Sequence, residues 1–144
     1  MSKSQSPNEP LVDVPVSTRA TLSALWVSTM FCYVYGDYFE LYVPGRLAGM
    51  LAGRMEPLGQ TTPTLLLGTS VMLAVPALMV ILTLVLRPAA SRWINLVAGA
   101  LYSLIMLLVI RGGWSFYVLM GIIEIVLTSS IVAVAWASPR RRDV

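Results

Sequence analysis

The chain has 144 residues, of which 57% are hydrophobic and 12% are charged, and its formal net charge is +3. Soluble domains are roughly one quarter charged, so this composition favours a membrane protein. One cysteine and no histidine exclude a disulfide framework, a CxxC redox site and a histidine metal site. The basic residues do not form a patch with interleaved aromatics. We therefore expect no cofactor, no metal and no nucleic-acid partner.

The first predicted element is a membrane helix over residues 19–43, preceded by a polar, proline-rich segment at residues 1–18. The composition of that segment predicts a disordered tail, and its acidic residues argue against a cleaved signal peptide. The helix is apolar until it reaches Asp37 and Glu40. Asp37 lies about 27 Å along the helix from Arg19, so we expect it near the far membrane interface.

Residues 45–58 are too few and too polar to cross a membrane, yet their apolar residues keep a helical spacing. This pattern predicts a short interfacial helix between the first and second spans. Gly45, Gly49 and Gly53 would share one face of that helix, and such a face lets another helix approach closely. The alternative is that these glycines form a flexible loop.

Three further apolar segments of membrane-crossing length lie at residues 63–86, 93–110 and 114–136. Pro76 interrupts the first of them, where a proline frees a backbone carbonyl and acts either as a packing kink or as a gating hinge. Gly99 and Ser103 form a small-residue pair suited to close helix packing. The expected fold class is therefore all-α: a polytopic membrane protein in which residues 19–137 form a four-transmembrane-helix bundle.

The orientation follows from the distribution of lysine and arginine. With four spans, the two termini and the turn at residues 87–92 share one side of the membrane. Seven lysines and arginines belong to that side and three to the other. Because positive charge accumulates on the cytoplasmic side, we expect an N-in, C-in topology with the tails at residues 1–18 and 138–144 in the cytoplasm.

Glu124 is the first candidate for a functional residue. It lies near the middle of the last span, where an ionisable group costs about 3 kcal/mol, so its carboxyl should face protein or water. Tyr117, Gly121 and Thr128 share its helix face. One interpretation makes Glu124 a site for a proton, a cation or a ligand amine. The other makes it a structural group bonded to a neighbouring span through Asn95, Tyr102 or Ser103.

A second candidate cluster lies at the far interface. Tyr33, Asp37 and Glu40 share one face of the first helix. Arg111 should end the third span at the same depth, and Arg54 should reach it from the interfacial helix. The cluster either neutralises charge at the interface or forms the mouth of a cavity or pore whose carboxylates attract cations.

The run Leu25-Trp26 through Tyr33-Val34-Tyr35-Gly36-Asp37 to Pro44-Gly45, followed by three more spans, resembles an uncharacterised family of small bacterial four-span membrane proteins. A looser similarity to DoxX-like four-span proteins concerns the architecture alone. The resemblance implies a four-span topology and a location in the bacterial plasma (inner) membrane. It implies no activity.

The leading functional hypothesis is the handling of a small ligand, proton or cation by a compact bundle or homo-oligomer in the lipid bilayer, as in a transporter, a channel or a ligand-binding protein. The alternative is a non-catalytic assembly or accessory subunit that contacts a membrane protein partner through its small-residue surfaces. An enzyme acting on a lipid or quinone comes third, because the sequence contains no recognisable pair of nucleophile and base.

Overall fold

The computed structural model describes residues 15–111 and 113–138. Four long helices dominate this part of the chain: α1 (Thr18–Glu40), α3 (Pro63–Val85), α4 (Pro88–Val109) and α5 (Ser115–Ala137). A short helix α2 (Arg46–Leu51) and a hairpin of β1 (Arg54–Met55) and β2 (Gly59–Gln60) connect α1 to α3. The two predicted tails fall almost entirely outside the described residues.

The four long helices form an antiparallel bundle. Each packs against two others, with α1 and α4 both lying against α3 and α5. Arg19, near the start of α1, donates to the carbonyl of Leu84 near the end of α3. Phe39, near the end of α1, lies against Phe116 at the start of α5, with ring centroids 6.3 Å apart. Neighbours therefore run in opposite directions, as short connections in an up-down bundle require.

Local signals explain where the long helices begin. Ser17 accepts a hydrogen bond from the backbone of Ala20, and Thr62 does the same for Leu65, so both act as N-caps. The helix α4 begins five residues before the predicted start at residue 93. Pro88 occupies its first turn, where the missing backbone N–H costs nothing.

The helix predicted over residues 45–58 is wrong in its extent. Only Arg46–Leu51 is helical, and a hairpin follows in which Met55 pairs with Gly59. Gly53 ends the helix because its φ of 71° is left-handed, a conformation that glycine adopts without strain. Gly45, with a φ of 85°, precedes the helix. The predicted strip of three glycines on one helix face is therefore absent, since Gly49 alone lies within the helix.

The bundle has an apolar exterior and a mixed interior. Among the described residues, seven polar or charged side chains are buried together with eight hydrophobic ones, and large apolar side chains cover the outside. Three of its helices, α3, α4 and α5, are long and apolar enough to cross a membrane. An apolar exterior around a partly polar interior suits a lipid environment, where polar groups must find partners within the protein. The described chain is thus compatible with a membrane protein.

A network of buried polar groups joins three helices at the end of the bundle where α1 begins. The side-chain carbonyl of Asn95 in α4 accepts hydrogen bonds from the Trp26 indole (2.7 Å) and from the Thr83 hydroxyl (3.2 Å). Its amide donates to the carbonyl of Ser91 at 2.7 Å. Trp26, Thr83 and Asn95 have no solvent exposure. The network therefore satisfies its polar atoms internally and ties α1, diagonally across the bundle, to α4.

Pro76 lies within α3 and is fully buried. A proline cannot donate to the carbonyl four residues earlier, which here belongs to Met72. The hydroxyl of Tyr102 in α4 donates to that carbonyl. A side chain from a neighbouring helix thus replaces the hydrogen bond that the proline removes, and it fixes α3 against α4 at this point.

The small residues of α4 and α5 allow these helices to pack closely. A Cβ atom added at Gly99 would lie 2.9 Å from Cγ2 of Val132, and one added at Gly121 would lie 2.8 Å from Cδ1 of Ile110. Beside Gly99, the hydroxyl of Ser103 donates to that of Thr128 at 2.7 Å. These positions therefore have no room for a larger residue unless the neighbouring side chains move.

Replacing Asn95→Leu should lower the thermal stability of the protein in detergent. The substitution removes the acceptor of the Trp26 indole and leaves that buried donor without a partner, at a cost of about 1–3 kcal/mol. For a chain of this length we expect a fall in Tm of roughly 3–10 °C. The control is Ser28→Ala, which removes a hydrogen bond within α1 at an exposed position. Equal melting of the two variants would contradict the role of the network.

The pairing of Tyr102 with Pro76 can be tested by a double-mutant cycle. Tyr102→Phe keeps the ring and leaves the Met72 carbonyl unsatisfied, so it should reduce the free energy of unfolding by about 1–2 kcal/mol. In a Pro76→Ala background, the backbone N–H of residue 76 can donate to the Met72 carbonyl. Tyr102→Phe should then reduce the free energy of unfolding by less than half as much as it does in the wild type. An identical cost in both backgrounds would show that the hydroxyl does not compensate for the proline.

Candidate functional site

A cavity of about 660 Å³ opens inside the bundle at the end where α1 ends and α3 begins. All four long helices contribute to its wall, and α2 and the hairpin line its outer part. We call this end of the bundle the connection end. A volume in this range is typical of sites for small organic molecules.

Most of the predicted site residues lie in the wall of this one cavity. Both predicted clusters contribute, so the carboxyl of the last helix and the groups at the end of the first share a single space. The predicted residues that line it are Tyr33, Asp37, Glu40, Arg54, Tyr102, Tyr117 and Glu124. Arg111 does not line it. That arginine is exposed in the turn after α4, because α4 ends at Val109, before the arginine.

Glu124 is the buried polar anchor of the cavity. The residue is 3% exposed, and its Oε2 atom has no hydrogen-bond partner among the described residues. The neighbours expected for a structural role are engaged elsewhere. Tyr102 donates to the Met72 carbonyl, and Ser103 donates to Thr128. Asn95 belongs to the network with the Trp26 indole.

The spacing of residues in α5 explains why Glu124 faces inward. Gly121 and Thr128 lie three residues before and four after it, and all three are buried. The hydroxyl of Thr128 donates to the backbone carbonyl of Glu124 at 2.8 Å. Residues at this spacing share one face of a helix. The small residue and the hydroxyl therefore bring this face close to α4, and the carboxyl lies between the helices.

The ion pairs at the rim differ from those predicted. Arg46, the first residue of α2, contacts Glu40 at 2.9 Å and Glu56 at 2.6 Å. The predicted cations, Arg54 and Arg111, form no ion pair within the described part of the chain. Sequence reasoning missed Arg46 because its partners are six and ten residues away. Those spacings bring the charges together only through the turn after α1 and through the hairpin, neither of which has a periodic signal.

The remaining wall is mainly apolar and unusually rich in methionine, with contributions from α2, β1, α3, α4 and α5: Met50, Met55, Met72, Met106 and Met120. Methionine is flexible and polarisable, so such walls adapt to ligands of different shape. Cys32 of α1 also lines the cavity. Within the described residues no three metal-ligating side chains converge. The wall of the cavity therefore combines a few carboxylates with a flexible apolar surface.

Comparison with curated proteins and with solved structures found no match to this chain. The match that was found is to a family model described as "Family of unknown function (DUF6326)", and it covers residues 13–142. That range includes all five helices, the hairpin and every residue that lines the cavity. The chain therefore belongs to this family of unknown function.

Proposed function

We propose that the protein binds a small ligand, a proton or a cation in the cavity at the connection end, with the carboxyl of Glu124 as the polar anchor. One observation carries this proposal. A carboxyl that is 3% exposed faces a cavity of about 660 Å³, and one of its oxygens has no hydrogen-bond partner among the described residues.

The energetics of buried polar groups support a binding role. An unpaired polar atom in an apolar interior costs roughly 1–3 kcal/mol, and a folded bundle has no structural reason to keep that cost. A species that donates a hydrogen bond or carries a positive charge would remove it. The structural alternative needs a donor from Asn95, Tyr102 or Ser103, and each of these side chains makes other hydrogen bonds.

We also propose that α1 is a fourth membrane span and that both termini face the cytoplasm of a bacterial cell. The support is that α1 has the same length as α3 and α5 and packs along both. The tryptophans at the two ends of α5, Trp114 and Trp136, are 58% and 63% exposed, as expected for an aromatic belt at each interface. The excess of basic residues on the side of the termini supports the orientation.

An accessory role in a membrane complex, with the chain contacting a partner protein, has less support. It relied on a helix face formed by Gly45, Gly49 and Gly53 and on the pair Gly99 and Ser103. Of the first three glycines, Gly45 and Gly53 lie outside α2. Gly99 and Gly121 are used within the chain, in the packing of α4 on α5. The small residues thus serve this bundle itself, and a partner has no continuous small-residue surface among them to contact.

Native mass spectrometry of protein released from mild detergent tests the binding proposal. We expect the wild type to retain a small molecule of defined mass, and Glu124→Gln to lose most of it, because the amide lacks the charge of the carboxylate. Met120→Trp should also lose it by filling the cavity. Ser129→Ala, at an exposed position of α5 outside the cavity wall, is the control and should retain it. A wild-type spectrum that shows no bound small molecule, in a homo-oligomer or with a second protein, would contradict the binding of a small ligand.

Cys32 offers an independent test, since it is the only cysteine in the chain and lines the cavity. N-ethylmaleimide should alkylate it severalfold more slowly in gently extracted protein than after exhaustive detergent washing, because a bound species shields the thiol. The control carries Cys32→Ala and Leu104→Cys, which moves the thiol to an exposed position on α4. The same change in rate for both proteins would mean that washing alters the whole bundle rather than the occupancy of the cavity.

A further inference from the structure

We propose that the cavity selects amphipathic organic cations, with the positive group beside Glu124 and the apolar substituents against the methionine-rich wall. This inference rests on the binding function proposed above and names the class of ligand. It follows from the balance of charge, the aromatic rings and the poor fit of the alternative ligands.

The charges that line the cavity favour a cation. Its wall holds two more carboxylates than guanidinium groups, from Asp37, Glu40, Glu56, Glu124, Arg46 and Arg54. Arg46 is already paired with Glu40 and Glu56. Asp37 and Glu124 form no ion pair within the described residues. Because low-dielectric walls concentrate the field of such groups, an entering cation is attracted at the rim and again at the buried carboxyl.

The aromatic residues of the cavity wall also suit a cation. Four tyrosines line the cavity, Tyr33, Tyr38, Tyr102 and Tyr117, and Tyr33 lies against Tyr102 with ring centroids 6.4 Å apart. The Tyr102 hydroxyl donates to the Met72 carbonyl, so it is not available to a ligand. Aromatic faces attract alkylated ammonium and phosphonium groups, whose charge is spread over apolar substituents.

The other classes of ligand fit less well. Hard metal cations take six or more oxygen ligands, whereas no group of three metal-ligating side chains occurs in the described chain. An anion would meet two carboxylates that lack ion-pair partners. A proton would satisfy Glu124 but would leave the rest of a 660 Å³ space and its five methionines unexplained. An organic cation uses the carboxyl, the rings and the apolar wall together.

The test compares two probes of the same shape and opposite charge, tetraphenylphosphonium and tetraphenylborate. Each is titrated by calorimetry into the full-length protein in nanodiscs of zwitterionic lipid, with empty nanodiscs as the blank. We expect saturable binding of the phosphonium and no saturable binding of the borate. Glu124→Gln should weaken phosphonium binding about tenfold to a hundredfold, the range for loss of one charged contact. The control is Ser129→Ala, on the same helix at an exposed position outside the cavity wall, and it should change phosphonium binding less than threefold.

The outcomes separate this inference from the function on which it rests. Borate binding as tight as phosphonium binding, or no phosphonium binding by the wild type, would overturn the assignment to cations. Retention of a small molecule in the native mass spectrum would in that case still support a binding cavity. The comparison of the two probes needs no variant, so it decides the question even if Glu124→Gln proves unstable.

Discussion

The structure depends on one constraint: polar groups inside an apolar bundle have to find their partners within the protein. At the end where α1 begins, the constraint is met by Asn95, which binds the Trp26 indole and the Thr83 hydroxyl across three helices. Further along α4, the Tyr102 hydroxyl donates to the Met72 carbonyl, which Pro76 leaves without its usual backbone donor. These contacts hold the helices together in the half of the bundle where α1 begins. The cavity begins at Tyr102, which belongs both to the packed core and to the cavity wall.

Glu124 and Asn95 differ in whether their polar atoms have hydrogen-bond partners. Both are buried polar residues of a long helix, and both lie on a face with small or hydroxylated neighbours. Asn95 is surrounded by donors and acceptors that saturate it, so it stabilises the bundle. Glu124 faces the cavity, and one of its oxygens has no hydrogen-bond partner in the part of the chain that the structure describes. Carboxylates that lack a partner inside a membrane are typical of ligand and ion pathways. The comparison therefore supports a binding role for Glu124 and a structural role for Asn95.

Long apolar segments in the sequence were enough to predict the long helices, and the spacing of small and polar residues was enough to predict the inward face of α5. The helix α3 begins at Pro63, where the predicted apolar segment at residues 63–86 also begins, and the spacing from Gly121 to Thr128 explains the burial of Glu124. The rim could not be predicted in the same way. Arg46 meets Glu40 and Glu56 only because the chain turns after α1 and then forms a hairpin. The methionine wall likewise combines residues from separate elements, so no single stretch of sequence reveals it.

The rim also bears on how a ligand would reach Glu124. The ion pairs of Arg46 are partly exposed, and the Glu56 side chain is 59% exposed, so each contributes no more than about 1 kcal/mol. The buried network around Asn95, by contrast, has no exposure to water. The rim contacts between α1 and the connecting segment are therefore weaker than the buried network, and they lie beside the exposed Asp37. A ligand that entered here would disturb little of the packing, and a cation would pass from the exposed carboxylate of Asp37 to the buried one of Glu124.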